Sequence, residues 1–204
     1  MSEKVDFMKL LKTFYAPPTK EPVLVEVPAM QFLMLDGFGA PEGPEYHQAL
    51  EALYPLAYTL KFAVKKSRQI DYGVFPLEGL WWMRGGMEFD MQRRTDWAWT
   101  AMIAQPEWVT PADVEEARVQ VIKKGAARAA EIRLEPFTEG LAAQVMHIGP
   151  YAAEAPTIER LHAFIAAQGC RPRGKHHEIY LGDPRRTAPE RLRTVLRQPV
   201  ERIG

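Results

Sequence analysis

The chain has 204 residues, of which 47% are hydrophobic and 25% charged, and its 26 basic residues are matched by 26 acidic ones. These values exclude a disordered, collagen-like or coiled-coil protein. No apolar stretch reaches the roughly 18 residues of a membrane-spanning helix, and the first residues lack the apolar segment of a signal peptide. The single cysteine, Cys170, is typical of a reducing compartment. We therefore expect a soluble, cytoplasmic protein without a membrane partner.

Zero net charge argues against direct binding of nucleic acid. Residues 171–204 are nevertheless basic, with nine Lys and Arg against four acidic residues. We interpret this excess as solvent-exposed charge around a pair of strands. The alternative is a phosphate-binding role for Arg185, Arg186, Arg191 and Arg193.

In chain order, residues 1–22 end in a proline-rich stretch that suits neither a helix nor a central strand, so we predict an N-terminal arm. A strand with a bulge or an edge at Pro28 follows at 23–35. Apolar residues then recur every three or four positions over 45–66, which predicts an amphipathic helix that Pro55 should kink or divide. Further strands are predicted at 71–83, 97–104, 141–148, 175–182 and 194–200, and further helices at 111–124 and 154–168.

The order strand, helix, strand, strand occurs twice in this prediction. The sequence around Met34 and Gly37 also resembles the sequence 112 residues later, around Met146 and Gly149. We therefore predict an α+β fold, a tandem pair of such modules with pseudo-two-fold symmetry and antiparallel sheets around a shared ligand cleft. The single domain would cover 23–204, with a first module at about 23–110, a linking helix at about 111–124 and a second module at about 130–204.

Aromatic residues are concentrated between positions 72 and 108. Alternation along a strand places some of these rings on each face of the sheet. One face can belong to the core, and rings on an open face would line a concave surface. The rings that we consider for ligand binding are Phe75, Trp82, Trp97 and Trp99, together with Tyr72.

Three glutamates stand out by their context, namely Glu78 in an apolar strand, Glu88 near a glycine turn and Glu178 in the last third of the chain. A glutamate inside an apolar strand is costly to bury unless it is paired. Alternation places Glu178 on one strand face with His176 and Tyr180. That face either lines a cleft, where burial would suit Glu178 to act as a base or to bind a cation, or it meets solvent.

No metal or cofactor is expected. His176 and His177 are adjacent, so they should point to opposite faces of a strand and cannot jointly hold one ion. The sequence contains no phosphate loop, dinucleotide fingerprint or nucleophile elbow.

Six segments together carry a resemblance that covers nearly the whole chain: Val25–Pro28, Met34–Gly37, Ala52–Tyr54, Tyr58–Phe62, Asp71–Trp82 and His177–Arg186. The most specific is the run Pro-Leu-Glu-Gly-Leu-Trp-Trp. These segments resemble the stand-alone GyrI-like, or gyrase-inhibitor-like, small-molecule-binding proteins. The resemblance implies two strand-helix-strand-strand modules around a ligand cleft, and Pro55 departs from the expected pattern.

In relatives fused to transcription regulators, a buried glutamate and aromatic rings receive cationic or planar drugs. A stand-alone subgroup includes hydrolases that open the cyclopropane of DNA-alkylating natural products. We therefore expect a planar, aromatic and in some cases cationic small-molecule ligand, bound by a monomer or a homodimer. The alternatives are a drug-binding module without catalysis and a protein-binding inhibitor. The expected catalytic residues are Glu178 and Tyr72, and the expected ligand-binding residues are Phe75, Glu78, Trp82, Trp97, Trp99, Tyr180 and His176.

Overall fold

The computed structural model describes residues 3–86 and 93–204, so the prediction for Glu88 lies outside the described residues. The chain divides into two compact units. Unit 1 comprises the described residues of Met1–Leu10, Met30–Phe75 and Trp82–Phe137, and unit 2 comprises Leu11–Ala29, Pro76–Trp81 and Thr138–Gly204.

The described residues form nine strands and five helices. The strands are β1 Glu3–Val5, β2 Val23–Phe38, β3 Ile70–Tyr72, β4 Leu77–Met83, β5 Trp97–Gln105, β6 Arg133–Ile148, β7 Cys170–Pro172, β8 His176–Tyr180 and β9 Arg193–Arg202. The helices are α1 Phe7–Leu10, α2 Lys12–Tyr15, α3 Pro44–Arg68, α4 Pro111–Lys123 and α5 Ala155–Ala167. Short 3-10 turns lie at Arg84–Gly86, Arg94–Asp96, Ala127–Glu131, Tyr151–Ala153 and Pro189–Arg191.

In unit 1, α3 is one continuous helix of 25 residues, so the prediction that Pro55 divides it is wrong. Pro55 lies on the exposed side of the helix, as does Glu51, whose carbonyl loses its hydrogen-bond donor to the proline ring. Water can satisfy that carbonyl, while the buried face formed by residues such as Leu53, Ala57 and Leu60 holds the helix together.

The sheet of unit 1 pairs β2 with β5 in antiparallel register, from Gln31 opposite Gln105 to Phe38 opposite Ala98. Every residue of β5 is buried, so both faces of this strand lie in the core. Trp99 packs edge-on against Tyr46 of α3, with ring centroids 5.0 Å apart. The short strands β1 and β3 pair in parallel.

Unit 2 is organised around β9, which pairs antiparallel with β6, β7 and β8. Strand β4 adds to β8 through residues 77–81. Helix α5 packs on this sheet through a buried cluster that includes Leu161, Ile165 and Leu196. Cys170 belongs to the same cluster and is a free thiol.

The predicted α+β class with antiparallel pairing is confirmed, and the tandem symmetry and the module boundaries stay predictions. Residues 16–22 form no helix or strand, as their prolines predict, but β1, α1 and α2 precede them and were not predicted. The predicted strand at 71–83 is interrupted around Gly73 and Pro76, and β6 begins at Arg133, well before the predicted start at residue 141. In the described part of the chain, no helix is both long enough and apolar enough to cross a membrane.

Gly37 is a residue of β2 at which the structure leaves no room for a side chain. It lies opposite Trp99, and an added Cβ there would overlap the six-membered ring of the Trp99 indole. Trp99 has no exposed surface and is held against Tyr46, so its ring cannot move aside.

We therefore expect Gly37→Ala to lower the free energy of unfolding by about 1–3 kcal/mol, the usual cost of overpacking a core. Urea unfolding followed by tryptophan fluorescence measures this. Gly73→Ala is the matched control, because an added Cβ there meets nothing within 4 Å. Equal stability of the two variants would show that the Trp99 contact is not tight.

Candidate functional site

The candidate site lies on the ribbon formed by β4 and β8 in unit 2. Gly79 is paired with Glu178 and Leu80 with His177. Because paired residues of an antiparallel ribbon lie on the same face, the ribbon separates two groups of polar side chains. One group, which we call the Glu178 face, consists of Trp81, His176, Glu178 and Tyr180. The other face carries Glu78 and His177.

On the Glu178 face, hydrogen bonds link an indole, a phenol and a carboxylate. The Trp81 Nε1–H donates to the Tyr180 hydroxyl oxygen at 3.0 Å, and the Tyr180 hydroxyl donates to Glu178 Oε2 at 2.7 Å. The other carboxylate oxygen, Oε1, lies 3.4 Å from His176 Nε2. The Glu178 side chain is 17% exposed, so its carboxylate is within reach of both solvent and ligand.

Gly79 makes this arrangement possible. An added Cβ at this position would lie 2.7 Å from Trp81 Nε1 and 3.2 Å from the Tyr180 hydroxyl oxygen. The indole therefore crosses the strand at the one residue that has no side chain to obstruct it.

Two further residues approach this face from the segment before α5. The Tyr151 ring meets the Tyr180 ring edge-on, with centroids 5.5 Å apart. Glu154, the residue before α5, is buried. Burial and the negative charge of Glu178 raise the pKa of Glu154 to about 9. Glu154 is therefore protonated at neutral pH, next to a second carboxyl group.

The opposite face of the ribbon holds a buried ion network. Glu78 accepts hydrogen bonds from the Tyr15 hydroxyl at 2.8 Å and from His177 Nε2 at 2.9 Å. His177 Nδ1 donates to Glu139 at 2.9 Å, and Arg197 donates to the other oxygen of Glu139 at 2.8 Å. Two carboxylates thus face one imidazolium and one guanidinium, and the buried charges balance.

This network fixes the protonation of its own members. Burial alone would lower the pKa of His177, but the charge and hydrogen bonds of Glu139 and Glu78 outweigh it and raise the pKa to about 9. Burial alone would raise the pKa of Glu139, but His177 and Arg197 outweigh it and lower the pKa to about 2. The imidazole is therefore charged at neutral pH, although it has almost no contact with water.

The network also holds the segment that precedes β2. Arg197 donates to the Phe14 carbonyl at 2.6 Å and to the Gln144 side chain at 3.0 Å. Gln144 in turn donates to the Thr13 carbonyl at 2.7 Å. The predicted arm is therefore part of unit 2 from Leu11 onward.

The structure groups some predicted site residues and separates others. Glu178, Tyr180 and His176 share one face, and the buried and half-buried residues of β8 alternate as predicted. Glu78 is 1% exposed and both of its oxygens accept hydrogen bonds from protein donors, so we now assign it a structural role in place of ligand contact. Trp82 is half-buried and lies next to Trp81 on the other side of β4.

The remaining predicted residues lie in unit 1. Tyr72 is buried against Phe7 and Trp108, and its hydroxyl has no hydrogen-bond partner among the described residues. Burial, and then the charge of Asp113, raises the pKa of Tyr72. Phe75 and Trp99 are core residues by burial, and Trp97 is buried beneath the guanidinium of Arg94. A catalytic role for Tyr72 stays a prediction.

Three residues of the site were missed, namely Trp81, Tyr151 and Glu154. A signal for Trp81 was present, because Gly79 in the middle of an apolar strand marks a close approach by another group. The burial of Glu154 depends on how α5 packs, and nothing in its neighbouring sequence indicates it.

The profile of the GyrI-like small molecule binding domain matches residues 20–201. The chain belongs to this family. A search of curated proteins gave no significant match. The predicted recognition of the family is confirmed, and small-molecule binding is the general function of GyrI-like domains.

Solved structures agree with this membership. An uncharacterized conserved protein from Listeria innocua is 40% identical and superimposes with a TM-score of 0.90, covering 97% of this chain and 100% of that one. A hydrolase from Listeria innocua is 40% identical with a TM-score of 0.86, covering 98% and 100% of the two chains. The C-terminal domain of EcmrR, at 12% identity and a TM-score of 0.56 over 90% of this chain and 98% of that one, shares the fold.

The ion network of this GyrI-like protein predicts that the free energy of unfolding falls at high pH and again at low pH. We call these two falls the alkaline limb and the acid limb. Between pH 6.5 and about 9 the unfolded imidazole of His177 loses its proton while the folded one keeps it, so stability should fall by roughly 3 kcal/mol. Between pH 4.5 and about 2 the unfolded Glu139 gains a proton first, so stability should fall again.

Urea unfolding across this pH range measures both limbs. His177→Gln should make the alkaline limb smaller by the part that His177 contributes, roughly 3 kcal/mol, and His47→Gln, at an exposed position, should retain the full limb. The part that Glu154 contributes, with its pKa of about 9, remains in both variants. An alkaline limb of equal size in all three proteins would mean that His177 is not charged in the folded state.

Gly79→Ala should break the hydrogen bond between Trp81 and Tyr180, because the new methyl group occupies the path of the indole. Overpacking of this kind costs about 1–3 kcal/mol of stability. In a ¹⁵N NMR spectrum, the Trp81 indole N–H signal should move in the same direction as in Tyr180→Phe. A signal that stays at its wild-type position in Gly79→Ala would contradict this geometry.

Proposed function

We propose that this protein binds planar aromatic compounds at the Glu178 face and hydrolyses those that carry a strained, electrophilic cyclopropane, as some DNA-alkylating compounds do. Three findings support this. The chain is a GyrI-like small-molecule-binding domain. Relatives about 40% identical over their whole length include hydrolases. The Glu178 face also offers a half-buried carboxylate beside aromatic rings.

The observation that carries the proposal is the asymmetry of the Glu178 carboxylate. Oε2 is held by the Tyr180 hydroxyl at 2.7 Å, which fixes the orientation of the group. Oε1 accepts no hydrogen bond from the described residues and lies beside His176 at 3.4 Å. An oriented carboxylate with one open oxygen can take a proton from a water molecule placed against it.

The proposed reaction adds one water to the substrate. The water oxygen forms a bond to a cyclopropane carbon as Glu178 takes one of the water protons. The carbon–carbon bond of the ring breaks, and its electron pair moves into a conjugated carbonyl, whose oxygen gains a proton from solvent. Glu178 then releases the water proton to solvent and returns to the carboxylate form. We assign Tyr180, which Trp81 positions, to hydrogen-bonding this oxygen as its charge develops. Its single hydroxyl proton is donated to Glu178 Oε2 before the reaction and turns to the substrate oxygen once Glu178 has taken up the water proton. Ring strain supplies much of the driving force, so a well-placed water is the main requirement.

The second candidate is binding without turnover, which would sequester the compound. The same Tyr180 hydrogen bond favours it, because it engages one of the two carboxylate oxygens of Glu178 in a contact within the protein. Aromatic stacking, worth about 0.5–1.5 kcal/mol for each ring pair, would hold a planar ligand in either case.

Glu178→Gln distinguishes the two functions, since it preserves the size of the side chain and removes the base. With a neutral spirocyclopropyl alkylator, turnover should fall by about 10²-fold or more, while affinity for the compound stays nearly the same. The measurement is mass spectrometry of the product, which gains one water, together with tryptophan quenching for binding. Glu159→Gln, at an exposed position of α5, is the control and should behave as the wild type.

Tyr72→Phe in the same assay tests the remaining predicted catalytic residue.

Unchanged turnover in Glu178→Gln would show that Glu178 is not the base. If the wild-type protein returns the alkylator unchanged while its tryptophans are quenched, the protein is a binder and the hydrolase proposal is wrong.

A further inference from the structure

Glu154 is a buried carboxyl group without a countercharge. It is 6% exposed, and its Oε1 has no hydrogen-bond partner in the described residues. Burying an unpaired carboxylate is so unfavourable that such a group normally keeps its proton. The turn at Tyr151–Ala153 and the start of α5 hold Glu154 in this position.

The groups around Glu154 offer it no cation. Its charged neighbour is Glu178, whose negative charge adds to the effect of burial on the pKa of Glu154, while the Thr194 hydroxyl of β9 acts in the opposite direction. The other titratable groups of the site are His176 and Tyr180 of β8 and, on α5, His162. Burial and then the charge of His176 lower the pKa of His162, so this imidazole is neutral at neutral pH. In the described part of the chain, no lysine or arginine pairs with either glutamate.

We propose that Glu154 and Glu178 form a two-carboxyl receptor for planar organic monocations, which keeps one proton when empty and releases it when the cation binds. The aromatic wall of this receptor is formed by Tyr180 with the rings that contact it, Tyr151 and, through its indole N–H, Trp81. This exchange requires the proposed binding at the Glu178 face, and it does not require hydrolysis.

A cation within about 4–6 Å lowers the pKa of a carboxyl group by roughly 1–3 units. Starting from about 9, the pKa of Glu154 in the complex would then lie at about 6–8. At pH 8 Glu154 therefore keeps its proton in the empty site. In the complex, between about half and nearly all of the Glu154 side chains have released it. By linkage, affinity for the cation rises with pH until Glu154 ionises in the empty site at about 9.

A neutral ligand of the same shape behaves differently. It brings no charge to replace the proton, and an acceptor atom on it can take a hydrogen bond from the protonated carboxyl. Its binding should release no proton, and its affinity should not rise with pH. The receptor thus distinguishes ligands by charge while the rings recognise their shape.

The test uses a matched pair of probes, N-methylacridinium as the permanent cation and acridine, which is neutral at pH 8. Calorimetric titration in two buffers with different ionisation enthalpies counts the protons released. Wild type and Glu159→Gln should release about half a proton to one proton with N-methylacridinium and none with acridine. Glu154→Gln should release none with either probe.

Infrared spectroscopy of the unliganded protein provides a readout that does not depend on ligand binding. The carbonyl band of a protonated carboxyl should be present at pH 8 and should disappear as the pH rises through about 9. Glu178→Gln should move this transition to lower pH, because it removes the repelling charge, so the test remains available if Glu154→Gln does not fold.

Cation binding without proton release, or equal release in Glu154→Gln, would overturn the exchange and leave the proposed binding and hydrolysis intact. A missing carboxyl band at pH 8 would overturn it as well. If neither probe binds the wild-type protein, both the exchange and the proposed binding of planar compounds are wrong.

Discussion

The buried ion network in unit 2 is the constraint on which the candidate site depends. Glu78, Glu139, His177 and Arg197 lie on four different strands, and removing water from four charges is favourable only when every partner is in place. The charged groups therefore meet all of their partners in only one register of these strands. Tyr15 and the carbonyl of Phe14 complete it, so the segment before β2 is held by the same interactions.

Register, in turn, decides which side chains form the site. Successive residues of a strand point to opposite faces, so directing Glu78 and His177 into the network directs Gly79 and Glu178 to the other side. A slip of one residue would bury Glu178 and expose His177. With the register fixed, the absence of a side chain at Gly79 lets Trp81 reach Tyr180, and Tyr180 orients Glu178. The ion network on one face of the ribbon therefore fixes the positions of the polar side chains on the other face.

Local sequence patterns predicted the features that depend only on residues close together in the chain. The capping signal at Thr110 and Asp113 places the start of α4, and alternation places Glu178 beside Tyr180. The prediction that Pro55 divides α3 was wrong because the outcome depends on what packs against the buried face of the helix, while a kink at Pro55 stays a prediction. The partners of His177 were not predictable, since Glu78 and Glu139 lie 99 and 38 residues away along the chain and only strand pairing brings them together.

Glu139 and Glu154 show that the partners of a buried carboxyl group decide whether the effect of burial on its charge prevails. Both side chains are almost completely buried, and burial favours the neutral form of each. Glu139 contacts an imidazolium and a guanidinium, so its pKa is lowered to about 2. Glu154 has no cationic partner among the described residues, so burial and then the negative charge of Glu178 raise its pKa to about 9. Unit 2 therefore contains a structural network whose protons are fixed at neutral pH and, on the other side of one ribbon, a site with a single proton that an added positive charge can displace.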